Sequence, residues 1–184
     1  MTDITRVIFF HGAGEGAFEA DALLAASLRR ELGPGYEVVQ PRLPADDDAG
    51  DSGWLRAIDE AVTGAPAVLV GHSAGGYLLL KYLATHEVTA TALAIIAAPF
   101  PGGDGDWTFD GFDLPRDFGA RLPECPVFLY ASEDDEVVPF AHRDLYAAAI
   151  PGAVSRTTEG GHQLGDDLGV VARDIRSVVG GPRP

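Results

Sequence analysis

The sequence has very little cysteine and no long apolar run. Cys125 is the one cysteine among 184 residues, so no intramolecular disulfide can form and a reducing compartment is expected. The most apolar stretch, residues 90–100, is well short of the roughly 20 residues that a membrane-spanning helix needs. The segment MTDITRVIFF has neither the basic region nor the cleavage site of a secretion signal. We therefore expect a cytoplasmic protein with no membrane partner.

Positive charge and metal-binding patterns are also scarce. The net charge is −15 at pH 7, which repels nucleic acids and anionic lipid surfaces. No histidine or cysteine cluster has zinc spacing. Residues 104–111, DGDWTFDG, approach the pattern of a calcium loop, but Phe109 stands where the loop needs glycine and no closing glutamate follows. The sequence predicts no nucleic-acid partner, no metal and no cofactor.

What the sequence does have is a regular alternation of short apolar runs with helix-length segments. This alternation is typical of a parallel sheet with helices on both faces. It predicts one domain over residues 1–184, a three-layer α/β/α sandwich with a mostly parallel six-stranded sheet. Strands are predicted at residues 6–10, 36–40, 67–71, 93–97, 127–131 and 153–157, with the second strand at one edge and the others following in chain order. Helices are predicted at residues 17–32, 54–63, 74–86, 140–150 and 166–179.

Residues 99–123 interrupt this alternation with glycines, prolines, aspartates and aromatic residues. We expect them to form a short lid-like excursion above the carboxyl ends of the strands, where ligands bind in such sheets. Trp107, Phe109 and Phe112 are the candidate substrate-binding residues of this segment. For any one of them, packing onto its own domain is the more common role.

A candidate nucleophile follows the third predicted strand. Residues 71–75, GHSAG, form a G-x-S-x-G motif between a strand and a helix, which is the context that this motif requires. The two glycines remove Cβ atoms that would clash where strand and helix approach, so Ser73 is held at the tip of a strained turn. The amide of Ala74, at the positive end of the helix, can face an oxyanion.

Four motifs in this order make the chain resemble the α/β-hydrolase superfamily, and in particular its small bacterial serine hydrolases of the retinoblastoma-binding-protein type. They are HGAG at 11–14, GHSAGG at 71–76, DEVVP at 135–139 and GGH at 160–162. The resemblance covers nearly the whole chain. It implies a reduced form of that fold, which lacks the first two antiparallel strands, and a catalytic triad in the chain order Ser, Asp, His.

The resemblance also implies the other two triad residues. His162, in the glycine-rich segment after the last predicted strand, is the expected base. Asp135, aligned by D-x-V-V-P just past the fifth predicted strand, is the expected acid, while its neighbours Glu133 and Asp134 are interpreted as solvated loop residues. A histidine suits the role of base because its pKa lies near neutrality.

The remaining histidines have other interpretations. His11 is expected to shape the loop after the first strand, in which the amide of Ala13 or, alternatively, of Gly14 completes the oxyanion hole. His72 is expected to point away from the site. His86 and His142 are interpreted as ordinary structural residues on helices.

Two other functions compete with hydrolysis. Residues 12–17 satisfy G-x-G-x-x-A, a weak dinucleotide fingerprint. Gln40 and Pro41 stand where a nicotinamide site wants an acidic residue, however, and although Arg42 would suit a 2′-phosphate, the three later motifs would be unexplained. The scaffold could also have become a non-catalytic binding protein, against which the intact Ser, Asp and His argue. The sequence therefore predicts a carboxylesterase-like serine hydrolase that cleaves a small acyl ester or related acyl bond through an acyl-enzyme on Ser73.

Overall fold

Six parallel strands form one sheet in the computed structural model, which describes residues 4–44, 46–103, 107 and 111–179, without the side chains of 46–51. The order across the sheet is β2-β1-β3-β4-β5-β6, and every neighbouring pair is parallel. The predicted fold class and strand order are confirmed. The strands are β1 (Thr5–Phe10), β2 (Tyr36–Val39), β3 (Ala67–His72), β4 (Ala90–Ile96), β5 (Val127–Ser132) and β6 (Val154–Thr158).

The helices differ more from the predicted bounds than the strands do. They are α1 (Ala17–Leu32), α2 (Asp46–Val62), α3 (Ala74–Leu83), α4 (Phe118–Arg121), α5 (Ala141–Ala149) and α6 (Gly169–Val179), with a 3₁₀ helix at Gly161–Asp166. The predicted start of α2 at residue 54 is wrong. The acidic segment before residue 54 has no apolar periodicity to reveal a helix, although acidic side chains suit a helix N-terminus.

The last helix also begins later than predicted, at Gly169 rather than at residue 166. Leu164, Gly165 and Asp166 have φ angles of 50°, 58° and 56°, which no α-helix accommodates. Leu164 is nevertheless buried. The segment between β6 and α6 thus forms a 3₁₀ helix whose last residues make a left-handed turn, and Leu164 anchors this turn in the core.

The two faces of the sheet bury separate clusters because side chains alternate along each strand. Val7 and Phe9 of β1 face α1 and α6, whereas Ile8 and Phe10 face the opposite layer, formed by α2 to α5. The first cluster includes Leu24, Leu28, Val171 and Ile175. The second includes Trp54, Ile58, Leu79, Phe118 and Tyr146. Covering both faces explains why the central strands are apolar throughout.

The edge strand β6 is polar and is tied to the domain by an ion pair. Arg156 Nε and Nη2 donate to the two carboxylate oxygens of Asp174 on α6, both at 2.9 Å. The Tyr130 hydroxyl of β5 donates to the same carboxylate at 3.0 Å. Burial alone would raise the pKa of Asp174, but the bonds from Arg156 and Tyr130 outweigh it and lower the pKa.

We predict that Asp174→Asn lowers the free energy of unfolding by about 1–2 kcal/mol, because the amide cannot balance the Arg156 charge with two acceptors. The loss is moderate because the Arg156 side chain is partly exposed, so water replaces part of the lost bonding. Urea unfolding followed by circular dichroism measures the change. An unaltered free energy would mean that this pair contributes nothing to stability.

Candidate active site

The turn between β3 and α3 has the backbone strain that the G-x-S-x-G motif predicts. Ser73 has φ 53° and ψ −128°, a conformation that side-chain-bearing residues rarely adopt and that persists only when its surroundings hold it. Its amide donates to the Ile96 carbonyl at 2.8 Å, and its own carbonyl accepts from the amides of Gly76 and Tyr77. Both neighbouring elements therefore hold Ser73 at the tip of the turn.

Two glycines make this turn possible by close approach. A Cβ atom on Gly75 would lie 2.3 Å from the carbonyl oxygen of His11 and 2.6 Å from that of Phe10, and one on Gly71 would lie 2.6 Å from the Cα of Gly76. Any larger residue at either position would push α3 away from the ends of β1 and β3. A Cβ atom would therefore clash at both positions, as the motif spacing predicts.

Asp135 and His162 come together although they are far apart in the sequence. His162 Nδ1 lies 2.9 Å from Asp135 Oδ2, and the two side chains are 16% and 1% exposed. The other oxygen, Asp135 Oδ1, accepts from the amides of Val137 and Val138 at 2.8 and 2.9 Å. These amides fix the carboxylate so that its second oxygen faces the imidazole.

The electrostatics keep Asp135 ionised. Burial would raise the pKa of Asp135, but the hydrogen bonds from His162, Val138 and Val137 outweigh it, and the pKa is lowered. Asp134 and Glu133 are exposed, and the Asp134 carboxylate accepts from the Gly160 amide at 3.3 Å. Of Glu133, Asp134 and Asp135, it is Asp135 that is bonded to His162.

The loop after β1 lies directly over Ser73. A Cβ atom on Gly12 would be 3.1 Å from Ser73 Cβ and 3.6 Å from Ser73 Oγ. Ala13 is exposed in this loop. Within the described ranges, no protein acceptor takes the N–H of Ala13 or of Ala74. Two backbone donors beside Ser73 are thus left for another acceptor.

His11 shapes this loop through its backbone contacts, as expected. Its Nε2 accepts from the Leu43 amide at 3.0 Å, and its Nδ1 donates to the Gly12 carbonyl at 2.7 Å. The ring is buried and, with one nitrogen accepting and the other donating, it is the neutral imidazole. Both ring nitrogens are occupied by backbone groups, so His11 fixes the Gly12 peptide rather than transferring protons.

The expectation that His72 points away from the site is only partly right. Its ring lies on the face of the sheet opposite α3, but it packs beneath His162 with ring centroids 4.8 Å apart. Its partners are Asp21 and the His162 carbonyl. By contrast, His142 accepts from the Phe100 amide and His86 stacks on Tyr82, which are structural contacts of the expected kind.

Sequence reasoning missed Asp21, which no motif contains. One signal could have found it. Asp21 is in line with Leu24, Ala25 and Leu28 on the buried stripe of α1, where an unpaired carboxylate would be costly. A charged residue at an apolar position of an amphipathic helix indicates a buried partner.

Two of the predicted substrate-binding aromatics, Trp107 and Phe112, pack against other residues of the domain. Phe112 is buried against Tyr77 with ring centroids 4.4 Å apart, and Trp107 contacts Phe112 and His142. Phe109 lies outside the described residues. Both described rings pack in the cluster over α3, so a role in substrate binding stays a prediction for them.

An open cleft of about 790 Å³ adjoins the loop that lies over Ser73. Arg42 stacks on Phe18, with its guanidinium carbon 3.8 Å from the ring centre, and pairs with Glu19 at 3.1 Å. The lining residues come from three segments that are separate in the sequence. These are residues 11–16 with Phe18 and Glu19, residues 42–44, and Trp54 of α2.

Neither a metal centre nor a membrane span is found in the described part of the chain. No three His, Cys, Asp or Glu side chains there are grouped to hold an ion. None of the described helices combines the length and the apolar character needed to cross a bilayer.

The sequence profile of the alpha/beta hydrolase family matches residues 7–179. The chain belongs to the alpha/beta hydrolase family. Among curated proteins it is similar to the serine hydrolase RBBP9 of Rattus norvegicus, at 22% identity over 148 residues, which covers 79% of this chain and 80% of the relative. The family resemblance inferred from the four motifs is confirmed.

Solved structures of this hydrolase fold superpose over nearly the whole chain. The ydeN gene product from B. subtilis matches with a TM-score of 0.74 at 18% identity, covering 96% of this chain and 100% of its own. Est1E from Butyrivibrio proteoclasticus matches with a TM-score of 0.69 at 17% identity, covering 97% and 88%. At these identities the likeness supports the fold alone.

Acid should destabilise the folded chain. Asp21, Asp135 and Asp174 all have lowered pKa values in the folded chain, against about 3.9 when unfolded. The unfolded chain therefore binds more protons below about pH 4, and stability that is present above that pH is lost as the pH falls through the lowered values. Tm measured from pH 7 to pH 3 should drop over this range, and less steeply in Asp174→Asn. A constant Tm down to pH 3 would contradict the prediction.

Proposed function

We propose that this protein is a carboxylesterase-like serine hydrolase that cleaves a small acyl ester or related acyl bond through an acyl-enzyme on Ser73. The observation that carries the proposal is the 2.9 Å contact between Asp135 and His162, because the His162 carbonyl is bonded to His72, the residue directly before Ser73 in its strained turn. Membership of a hydrolase family supports hydrolytic chemistry. The three residues take the roles of nucleophile, base and acid.

In this mechanism the hydrogen bond to Asp135 selects the useful tautomer of His162. Because the carboxylate accepts a hydrogen bond from the Nδ1–H group, the proton stays on Nδ1 and the lone pair is left on Nε2. Nε2 takes the Ser73 hydroxyl proton as Oγ attacks the acyl carbon. It returns that proton to the departing alcohol, and an acyl-serine remains. A water molecule then repeats the sequence and releases the acid.

The amides of Ala13 and Ala74 are proposed to hold the oxyanion of both tetrahedral intermediates. Donors that are already oriented stabilise the charge without reorganisation when it develops. The close packing of Gly12 on Ser73 supports this assignment, because it brings the loop that carries the Ala13 amide against the serine.

The cleft beside this loop is the proposed site for the group attached to the scissile bond. Its volume of about 790 Å³ falls within the range of small-molecule sites. Phe18, Leu43 and Pro44 contribute apolar surface, while Arg42 is already paired with Glu19. These features favour a small, uncharged group over a long lipid chain.

We predict that Ser73→Ala abolishes labelling by a fluorophosphonate and reduces hydrolysis of p-nitrophenyl acetate by at least about 10³-fold. The free energy of unfolding should change by less than about 1 kcal/mol, because no core cavity is opened. Ser155→Ala, on the edge strand, is the matched control and should label normally. If the parent protein fails to react at Ser73, the chain is a binding protein on a hydrolase scaffold.

Substitution distinguishes the two adjacent carboxylates of Asp134 and Asp135. Asp135→Asn should lower kcat by roughly 10³- to 10⁴-fold, because an amide favours the wrong tautomer of His162. Asp134→Asn should change kcat by less than about 10-fold, because this carboxylate bonds the Gly160 amide rather than His162. Both variants are assayed on the same activated ester. If Asp134→Asn loses activity while Asp135→Asn keeps it, the acid is Asp134 and not Asp135.

A further inference from the structure

A second carboxylate–histidine pair is buried beneath the proposed triad. Asp21 Oδ2 lies 2.8 Å from His72 Nδ1, and both side chains are 1% exposed. The mechanism above uses neither residue. Removing two ionisable groups from water is costly unless every polar atom is well bonded, so the bonding of this pair is informative.

Both ring nitrogens of His72 face acceptors. Nδ1 faces the Asp21 carboxylate, and Nε2 lies 2.9 Å from the carbonyl oxygen of His162. A carbonyl oxygen can only accept, and a carboxylate does the same. Two hydrogen bonds therefore need two N–H groups, which only the imidazolium form supplies.

The surroundings of Asp21 suit the ionised form that such a cation needs. Asp21 Oδ2 also accepts from the Gly12 amide at 2.7 Å, and Oδ1 accepts from the Gln163 side-chain amide at 3.1 Å. Burial would raise the pKa of Asp21, but the bonds from His72, Gly12 and Gln163 outweigh it, and the pKa is lowered. His162, with Asp135 on its far side, is the other titratable residue in contact with His72.

The contacts of this pair reach three parts of the proposed site. Gly12 belongs to the loop over Ser73, and His72 is the residue directly before Ser73. The His162 carbonyl and Gln163 belong to the 3₁₀ helix that carries the base. One buried ion pair thus joins the oxyanion loop, the elbow and the base.

We propose that Asp21 and His72 are positioning residues, an ion pair of carboxylate and imidazolium that holds Gly12, Ser73 and His162 in register for catalysis. The proposal rests on the function proposed for Ser73. It gives His72 a role unlike that of His162. Because both nitrogens of His72 are occupied by acceptors, the ring orients its neighbours and cannot take a proton from the serine.

The test replaces Asp21 and His72 in turn and compares the kcat of each variant with that of a variant in which a remote buried carboxylate is replaced. Asp21→Asn keeps the side-chain volume but removes the counter-charge, so His72 keeps one N–H and one of its two bonds is lost. We expect kcat on p-nitrophenyl acetate to fall about 10- to 100-fold with KM changed less than about threefold, since small misplacements of reacting groups cost this much. The fluorophosphonate reaction at Ser73 should slow by a similar factor.

Asp174→Asn is the matched control. It also removes a buried carboxylate from the same side of the sheet, but Asp174 bonds Arg156 and Tyr130 rather than any loop of the site. Its kcat should stay within about twofold of the parent. His72→Gln should impair kcat as Asp21→Asn does, and the double variant should be little worse than either single variant, because one interaction is lost in each case.

Nitrogen-15 NMR of the parent protein gives a readout that does not depend on activity. Both ring nitrogens of His72 should carry protons, with His72→Gln used to assign the signals. A singly protonated His72, or an Asp21 variant as active as the Asp174 variant, would overturn the proposal. If the parent is inactive and unlabelled while His72 is doubly protonated, the failure belongs to the proposed function instead.

Discussion

Between β1 and the first turn of α3 there is no room for a Cβ atom at residue 75, because the carbonyl oxygen of His11 lies 2.3 Å from where it would be. This contact sets the position of α3 against the central strands. The chain can then pass from β3 into α3 only through the strained conformation of Ser73. The loop after β1 is drawn over the serine by the same contact, so Gly12 also has to be small. Backbone packing at the sheet centre therefore builds the elbow and the adjoining loop as one unit.

Two carboxylate–histidine pairs surround this unit, and the number of acceptors around each ring separates their roles. His162 has one carboxylate acceptor at Nδ1, and in the proposed mechanism its Nε2 keeps a lone pair for the proton from Ser73. His72 has acceptors at both nitrogens. In the two proposals, the same pair of side chains therefore gives a base in one setting and a fixed support in the other.

The sequence was informative wherever a local pattern reflects a local constraint. Apolar runs identified the strands because both faces of the sheet are covered, and GHSAG identified the elbow because its glycines are needed within five residues of each other. The start of α2 could not be predicted because its first turns are acidic and carry no apolar stripe. The cleft and the Asp21 contacts could not be predicted either. They join α1, the segment after β2 and the segment after β6, and nothing in a linear pattern says which of these segments meet.

The long sequence separations within the site have a consequence for the protein as it is being made. The side chains of Asp21 and Gln163 meet across 142 positions, and His72 reaches the His162 carbonyl across 90. Domains are synthesised from the N-terminus at a few residues per second or faster, so the elbow and its glycine loop leave the ribosome well before the 3₁₀ helix. A nascent chain can therefore contain the proposed nucleophile without its base. Reactivity of the serine would then appear only when the final segments close over α1, and would mark a completely folded chain.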